Sequence, residues 1–294
     1  MITGDLRDKA IKQLIEAGID KEDARFDVDA IISAIDDEQE FQKAIDRRAS
    51  SEPIAYILGK AFFYNEEYKV APGVLIPRSD TETLVEAALQ FLGRLEFPMG
   101  EVGNIPKGVI RSNPHIADLC TGSGCIGISL GNSLYAAGDK PVVTLGDIAD
   151  EALKCSTENA DSQVKFGRDN ITINRVDVLS EAALDSLAKQ TGKFDVVVSN
   201  PPYVTDEEML ELPKDVKDFE PHLALRADDN GLIFYKSLAN SAKSFLEQGG
   251  ALIVEHGYLQ GQAVRDIFTE AGLAQVITIK DYGDNDRVTF GILE

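Results

Sequence analysis

The 294-residue chain is short of cysteine, histidine and base: three Cys, three His, and 29 Lys and Arg against 50 Asp and Glu. Each scarcity excludes something. Cys120, Cys125 and Cys155 are odd in number and form no C-x-x-C pair, so they read as reduced thiols rather than a disulfide framework or a zinc site. His115, His222 and His256 lie too far apart for an H-x3-H ligand pair, so no metal is expected and all three read as structural. No apolar run reaches the roughly 18 to 20 residues that a membrane helix needs. The opening segment, MITGDLRDKAIKQLIEAGID, carries acids early and lacks the apolar core of a secretory signal. No membrane partner and a cytoplasmic location are therefore expected. With a formal net charge of −21 and bases no denser than pairs such as Arg47-Arg48, little is available to neutralise a phosphate backbone. Nucleic acid is disfavoured as a direct substrate, and a basic protein partner or simple solubility suits the charge better.

What is present is a globular chain, 44% hydrophobic. Residues 1–60 read as a small helical domain. DLRDKAIKQLIEAGI places Leu6, Ala10, Leu14 and Ala17 at helical spacing with Gly18 to close the helix, KEDARFDVDAIISAI repeats the pattern, and EQEFQKAIDRRAS adds a third segment. Such a bundle is small for independent stability and is expected to dock on the rest of the chain or on a partner. Residues 61–75, with FFYNEEYKVAP, read as a β-hairpin linker, and residues 76–294 as the catalytic domain. Ser79 or Asp80 is expected to cap the helix that follows, with Glu82 in its first turn. EFPMGEVGNIPKGVIRSNPH, rich in Gly and Pro, reads as a surface excursion. Beyond it, short apolar strands alternate with helices from HIADLC to LQGQAVRDIFTEAG, and the chain closes on QVITIKDYG and DRVTFGILE, read as an antiparallel hairpin at the sheet edge. The class is α/β, with a mostly parallel sheet covered by helices on both faces.

Three strand ends carry polar groups suited to one ligand. The first runs ADLCTGSGCIG, where Asp118, Cys120, Thr121, Gly122, Ser123 and Gly124 form a glycine loop that brings backbone close to a ligand ahead of a helix N-terminus. The second ends at Asp147, whose two oxygens suit ribose hydroxyls or, equally, a helix cap. The third ends at Asp177-Val178, where adenine fits. The glycine spacing is not G-x-G-x-x-G, and no Walker-type lysine follows, so a dinucleotide or a nucleoside triphosphate fits poorly. A nucleoside with an amino-acid tail fits the crevice better.

The fourth strand ends in Asn200-Pro201-Pro202-Tyr203. Neither proline has an N–H to continue a sheet ladder. The Asn200 side-chain oxygen and the Pro201 carbonyl are two acceptors for the two hydrogens of a planar –NH2 group, on which Tyr203 can stack. Asn200, Pro201 and Tyr203 are thus the candidate catalytic residues, with Pro202 beside them in the substrate site.

This combination resembles the class I S-adenosylmethionine-dependent methyltransferases acting on planar nitrogen, and among them the release-factor glutamine methyltransferases. The resemblance spans nearly the whole chain: EPIAYILGKAFFY, VLIPRSDTETLVE, DLCTGSG, NPPY, FEPHLAL, VEHGYLQGQAVRDIF and DYGDNDRVTFG. NPPY is shared with adenine methyltransferases; IPRSDTE and DYGDNDRV are the specific segments. The resemblance implies a Rossmann-like seven-stranded sheet and S-adenosylmethionine as cofactor, held by the glycine loop, Asp147, Asp177, Val178 and Asn200. It implies class 1 peptide-chain release factors as partners, methylated on the glutamine of a Gly-Gly-Gln loop, with the N-terminal helices as docking platform. Two features depart from the family: Cys120 replaces the first loop glycine, so its side chain has to point away from the cofactor, and the segment between Gly93 and Pro114 is longer than expected. Adenine-N6 methylation of nucleic acid through the same NPPY chemistry and a non-catalytic S-adenosylmethionine-binding module are the competing readings.

Overall fold

The computed structural model describes residues 2–95, 108 and 111–294, so the excursion expected between Gly93 and Pro114 lies largely outside the described residues. The first three helices start where a side chain can satisfy free N–H groups. In α1 (Gly4–Glu16) Leu6 N donates to Thr3 Oγ1 at 3.3 Å. In α2 (Lys21–Ala34) Glu22 N donates to Asp20 at 2.7 Å, and in α3 (Glu38–Ala49) Gln39 N and Glu40 N donate to Asp37 at 2.9 and 3.0 Å. Their apolar faces converge on Leu14, Val28, Ile31, Phe41 and Ile45, a cluster of their own. The short helix α4 (Ile54–Leu58) leads into the antiparallel hairpin β1 (Lys60–Phe63) and β2 (Glu66–Lys69). The hairpin is anchored on the larger unit: Tyr68 is fully buried, its hydroxyl donates to Glu66 at 2.7 Å, and it lies 2.6 Å from Ser129 Oγ.

A 3-10 turn at Ser79–Thr81 precedes α5 (Glu82–Phe91). Neither Ser79 nor Asp80 caps that helix, contrary to expectation. Asp80 instead faces Arg287 at 3.3 Å, because the turn lies against the last strand of the sheet. The chain then alternates: β3 (His115–Leu119), α6 (Cys125–Ala136), β4 (Val142–Asp147), α7 (Asp150–Gln163), β5 (Ile171–Arg175), α8 (Glu181–Thr191) and β6 (Phe194–Ser199). Four short helices follow, α9 (Asp206–Glu211), α10 (Lys214–Phe219), α11 (His222–Leu225) and α12 (Asp228–Gly231), too brief to leave a periodic signature in the sequence. The chain ends with α13 (Ile233–Phe245), β7 (Leu246–Glu255), α14 (Gly261–Glu270), β8 (Ala274–Lys280) and β9 (Asp286–Ile292).

The seven-stranded sheet has the order β5-β4-β3-β6-β7-β9-β8. Every pairing from β5 to β7 is parallel; β9 alone runs antiparallel, between β7 and β8. Parallel strands under helices on both faces need apolar residues on both sides, and all six residues of β6, FDVVVS, are buried. One core lies under α5 and α6, around Leu84, Ile128, Leu145 and Val198; the other lies under α8, α13 and α14, around Leu119, Leu187, Tyr235, Leu252 and Phe268. The strand order reverses between β3 and β6. A crevice outside the carboxyl ends of strands is expected at such a switch point.

Candidate active site

The glycine loop leaves β3 at Leu119. Thr121 N donates to Gly146 O at 3.1 Å, and Gly124 N donates back to Thr121 O at 2.8 Å, which tightens the turn before α6. At Gly122 φ is +55° and a Cβ would meet nothing within 4 Å, so its backbone faces open space. Gly124 serves another purpose: a Cβ there would press on Ile128, Leu145 and Ser156 at 3.1–3.2 Å. Asp118 lies beneath the loop, fully buried, and accepts from Thr121 Oγ1 at 2.6 Å and Gly127 N at 2.9 Å. Burial pushes its carboxyl up to about 7, against the pull of those two bonds.

The loop forms one wall of a cavity of about 390 Å³ at the carboxyl ends of β3, β4 and β6. Of the residues assigned to the site from sequence, Cys120, Thr121, Gly122, Ser123, Asp147, Asp177, Val178, Asn200 and Pro202 line it. Asp147 organises the polar side: Gly122 N donates to its Oδ2 at 2.9 Å and Ala149 N to its Oδ1 at 3.0 Å, which joins the glycine loop to the end of β4. A carboxylate has about four lone-pair sites, so two such bonds leave acceptor capacity for ligand hydroxyls. Ile148, Val176 and Phe234 supply an apolar wall that the sequence reading missed. Gly73–Arg78 and Thr81 also line the cavity and were likewise missed, a strap running from the hairpin to α5. Arg78 pairs with the buried carboxylate of Glu220, which also accepts from Ile76 N at 3.3 Å. The IPRSDTE and FEPHLAL segments, noted in the sequence without a role for individual residues, thus hold each other over the mouth.

Four residues assigned to the site from sequence lie off the cavity wall. Asp118 and Gly124 support the loop from behind, as described. Pro201 is buried at the start of the turn. Tyr203, half-buried, packs against the core under α13 and does not line the cavity, and burial raises its phenol. The reason is pairing: Tyr203 N and Val204 N donate to Leu225 O at 3.2 and 2.8 Å, and Gln260 Nε2 donates to Tyr203 O at 3.1 Å. Those bonds pin the turn and leave Asn200 at the wall. Its Nδ2 donates to Thr81 Oγ1 at 3.3 Å, which leaves Oδ1 as the acceptor available to a ligand.

Cys120 has φ +59°, a left-handed conformation costing a side chain roughly 1–2 kcal/mol. Its side chain packs into the core under α13, with the thiol beside Ser199, and burial raises its pKa. Cys120→Gly is accordingly expected to trade lost packing for relieved strain, leaving stability within about 1 kcal/mol of the parent and activity intact. Denaturant titration with a turnover assay checks this; a large activity loss in a folded variant would assign the thiol a role in the reaction. The His256 ring serves structure, buried between Gly257 O and Thr289 Oγ1 at 2.9 Å from each.

Residues 121–285 match the family described as Eco57I restriction-modification methylase. A release factor glutamine methyltransferase from Haemophilus influenzae is 38% identical over 250 residues, spanning 84% of this chain and 78% of that one. Another from Salmonella typhimurium is 36% identical over 256 residues, spanning 86% and 80%. Among solved structures, the hMettl16 catalytic domain in complex with MAT2A 3'UTR hairpin 6 aligns with a TM-score of 0.54 at 13% identity, covering 77% of this chain and 74% of that one. That likeness shows the fold alone.

Proposed function

The chain belongs to the release factor glutamine methyltransferases and, through residues 121–285, to the family described as Eco57I restriction-modification methylase; on that premise we propose that it methylates the side-chain amide nitrogen, N5, of the glutamine in the Gly-Gly-Gln motif of class 1 peptide-chain release factors. The observation that carries this reading is Asn200 at the cavity wall, its amino group held by Thr81.

S-adenosylmethionine is the methyl donor of this enzyme class, and the site fits it. The cavity of about 390 Å³ lies in the range of small-molecule sites. Gly122 presents bare backbone, Asp147 keeps acceptor capacity for ribose hydroxyls, and Ile148, Val176, Val178 and Phe234 offer an apolar bed for a base. When bound, the cofactor supplies an electrophilic methyl on a sulfonium. An amide nitrogen is a weak nucleophile, since its lone pair is delocalised into the carbonyl, so the protein's task is orientation. For the two amide hydrogens the assigned acceptors are Asn200 Oδ1, at the cavity wall, and the carbonyl of Pro201, the next residue of the turn just off that wall; together they hold the nitrogen's lone pair toward the donor. The same acceptors stabilise positive charge growing on that nitrogen.

An adenine –NH2 could use the same acceptors. Glutamine is favoured because the release factor relatives match over 84–86% of this chain, whereas the Eco57I match starts at residue 121, and because the net charge of −21 opposes a polyanion. We take residues 1–60, with their separate core, as the docking platform, 61–75 as linker and 76–294 as the catalytic domain. No helix among the described residues is long and apolar enough to cross a membrane, and we infer a cytoplasmic location from the proposed substrate class. The test is transfer of labelled methyl to an intact release factor, to the same factor with the motif glutamine replaced by alanine, and to an adenine-containing oligonucleotide. Label is expected in the first alone; label in the oligonucleotide would overturn the reading.

Asp147→Ala is expected to weaken S-adenosylmethionine binding by about 1.5–3 kcal/mol while changing turnover of the saturated enzyme less. Calorimetric titration checks this, and an unchanged Kd would remove Asp147 from the ribose site.

A further inference from the structure

Glu255, the last residue of β7, is a buried acid that none of the steps above uses; it is 2% exposed. Strands β6 and β7 run parallel with Ser199 opposite Val254, so Asn200 and Glu255 leave the sheet side by side. Thr81 and Asn200 face the Glu255 carboxylate and favour its ionised form, while its buried Oε2 has no hydrogen-bond partner among the described residues. Arg287 faces Glu255 but is engaged elsewhere: its Nε donates to Asp281 at 3.0 Å, and its other nitrogens reach Asp80 at 3.3 Å and the His256 carbonyl at 3.5 Å. Asn200 lines the cavity and Glu255 does not.

Resting on the methyl-transfer reading above, we propose that Glu255 is a positioning residue: with Thr81, its carboxylate fixes the Asn200 amide so that Nδ2 points into the protein and Oδ1 faces the nitrogen to be methylated. An asparagine amide has nearly the same shape when flipped by 180°. Flipped, it would present N–H groups to the substrate –NH2 and repel it. Thr81 alone leaves both orientations open, since a hydroxyl can donate or accept. An ionised carboxylate can only accept, so it selects Nδ2. It also places negative charge behind Asn200 as positive charge grows on the substrate nitrogen.

The selection holds only while Glu255 is ionised. Burial pushes its carboxyl up to about 7, against the pull of Thr81, Arg287 and Asn200, with Asp80 adding to the rise. The other groups facing it are Tyr203 from the loop after β6 and Tyr235 from α13, whose hydroxyl donates to the Glu255 carbonyl at 3.2 Å; burial raises both phenols, so they stay neutral. The adjacent His256, its pKa pushed down by burial to about 4, is neutral as well. A protonated Glu255 can donate, and the flipped amide is then allowed.

Two measurements test this. In the first, wild-type kcat on a release factor is followed across neutral pH, and it is expected to rise with pH through about 7. Glu255→Gln is expected to lose that limb and to lower kcat roughly ten- to hundredfold with the S-adenosylmethionine Kd unchanged, while Glu255→Asp keeps the limb and recovers part of the rate. A Glu255→Gln variant that merely melts earlier, with the wild-type rate and pH profile, would overturn the proposal. In the second, the Asn200 side-chain amide resonances are followed against pH in the cofactor-saturated wild type, without any substrate. They are expected to titrate near 7; flat resonances would overturn the proposal even if Glu255→Gln fails to fold. Titrating resonances in a protein that labels no release factor would sink the substrate reading and leave the coupling of Glu255 to Asn200 standing.

Discussion

Asn200→Ala is expected to lower turnover about 10²–10³-fold while S-adenosylmethionine still binds. The substitution removes one of two acceptors and leaves the Pro201 carbonyl in place. With one hydrogen bond instead of two, the substrate amide can pivot, and its lone pair leaves the line of the methyl group. A misplacement of about 1 Å is enough to cost about a hundredfold. On this reading cofactor affinity rests mainly on the glycine loop, Asp147 and the apolar wall, whereas the Asn200 amide is hydrogen-bonded to Thr81. The structure sharpens the companion variant. Asn200→Asp keeps an acceptor oxygen but sets a second carboxylate against the buried Glu255, and two such groups cannot both ionise at low cost. Its rate is expected to fall between wild type and Asn200→Ala, with a steeper dependence on pH. Single-turnover kinetics at saturating cofactor measure both; near-wild-type turnover in folded Asn200→Ala would refute the orientation mechanism.

Gly231→Ala is expected to disable the site from outside it. Gly231 closes α12 with φ +78°, and a Cβ there would sit 2.2 Å from the Tyr203 carbonyl oxygen and 2.4 Å from Gln260 Nε2. The first contact is with backbone, so the Asn-Pro-Pro-Tyr turn itself has to move. Left-handed strain of roughly 1–2 kcal/mol and overpacking of roughly 1–3 kcal/mol add, and a visible drop in Tm follows. Turnover is expected to fall about a hundredfold, because the displaced turn carries Asn200. Gly138→Ala is the control: its φ is +95° but a Cβ there meets nothing within 4 Å, so it reports the conformational cost alone. If the two variants lose equal stability and both keep full turnover, Gly231 does not position the turn.

These contacts mark the limit of reading along the chain. The sequence by itself determined the α/β class, since β6 must be apolar on both faces to lie in a covered parallel sheet, and FDVVVS shows it. It also determined the glycine loop, the acid at Asp147 and the Asn-Pro-Pro-Tyr turn, because each depends on backbone freedom or donor and acceptor chemistry confined to a few adjacent residues. Only the tertiary structure decided which of those residues face the cavity. Asp118 and Gly124 turned inward because the loop folds over the start of α6. Tyr203 turned toward the core because the chain beyond it pairs with Leu225. The strap of Gly73–Arg78 became a wall because Arg78 meets Glu220, and Glu255 came to stand beside Asn200 because β7 lies next to β6 in the strand order. Such neighbours are set by sheet order and register, which bring together segments far apart in the chain, and no local pattern of residue types encodes them.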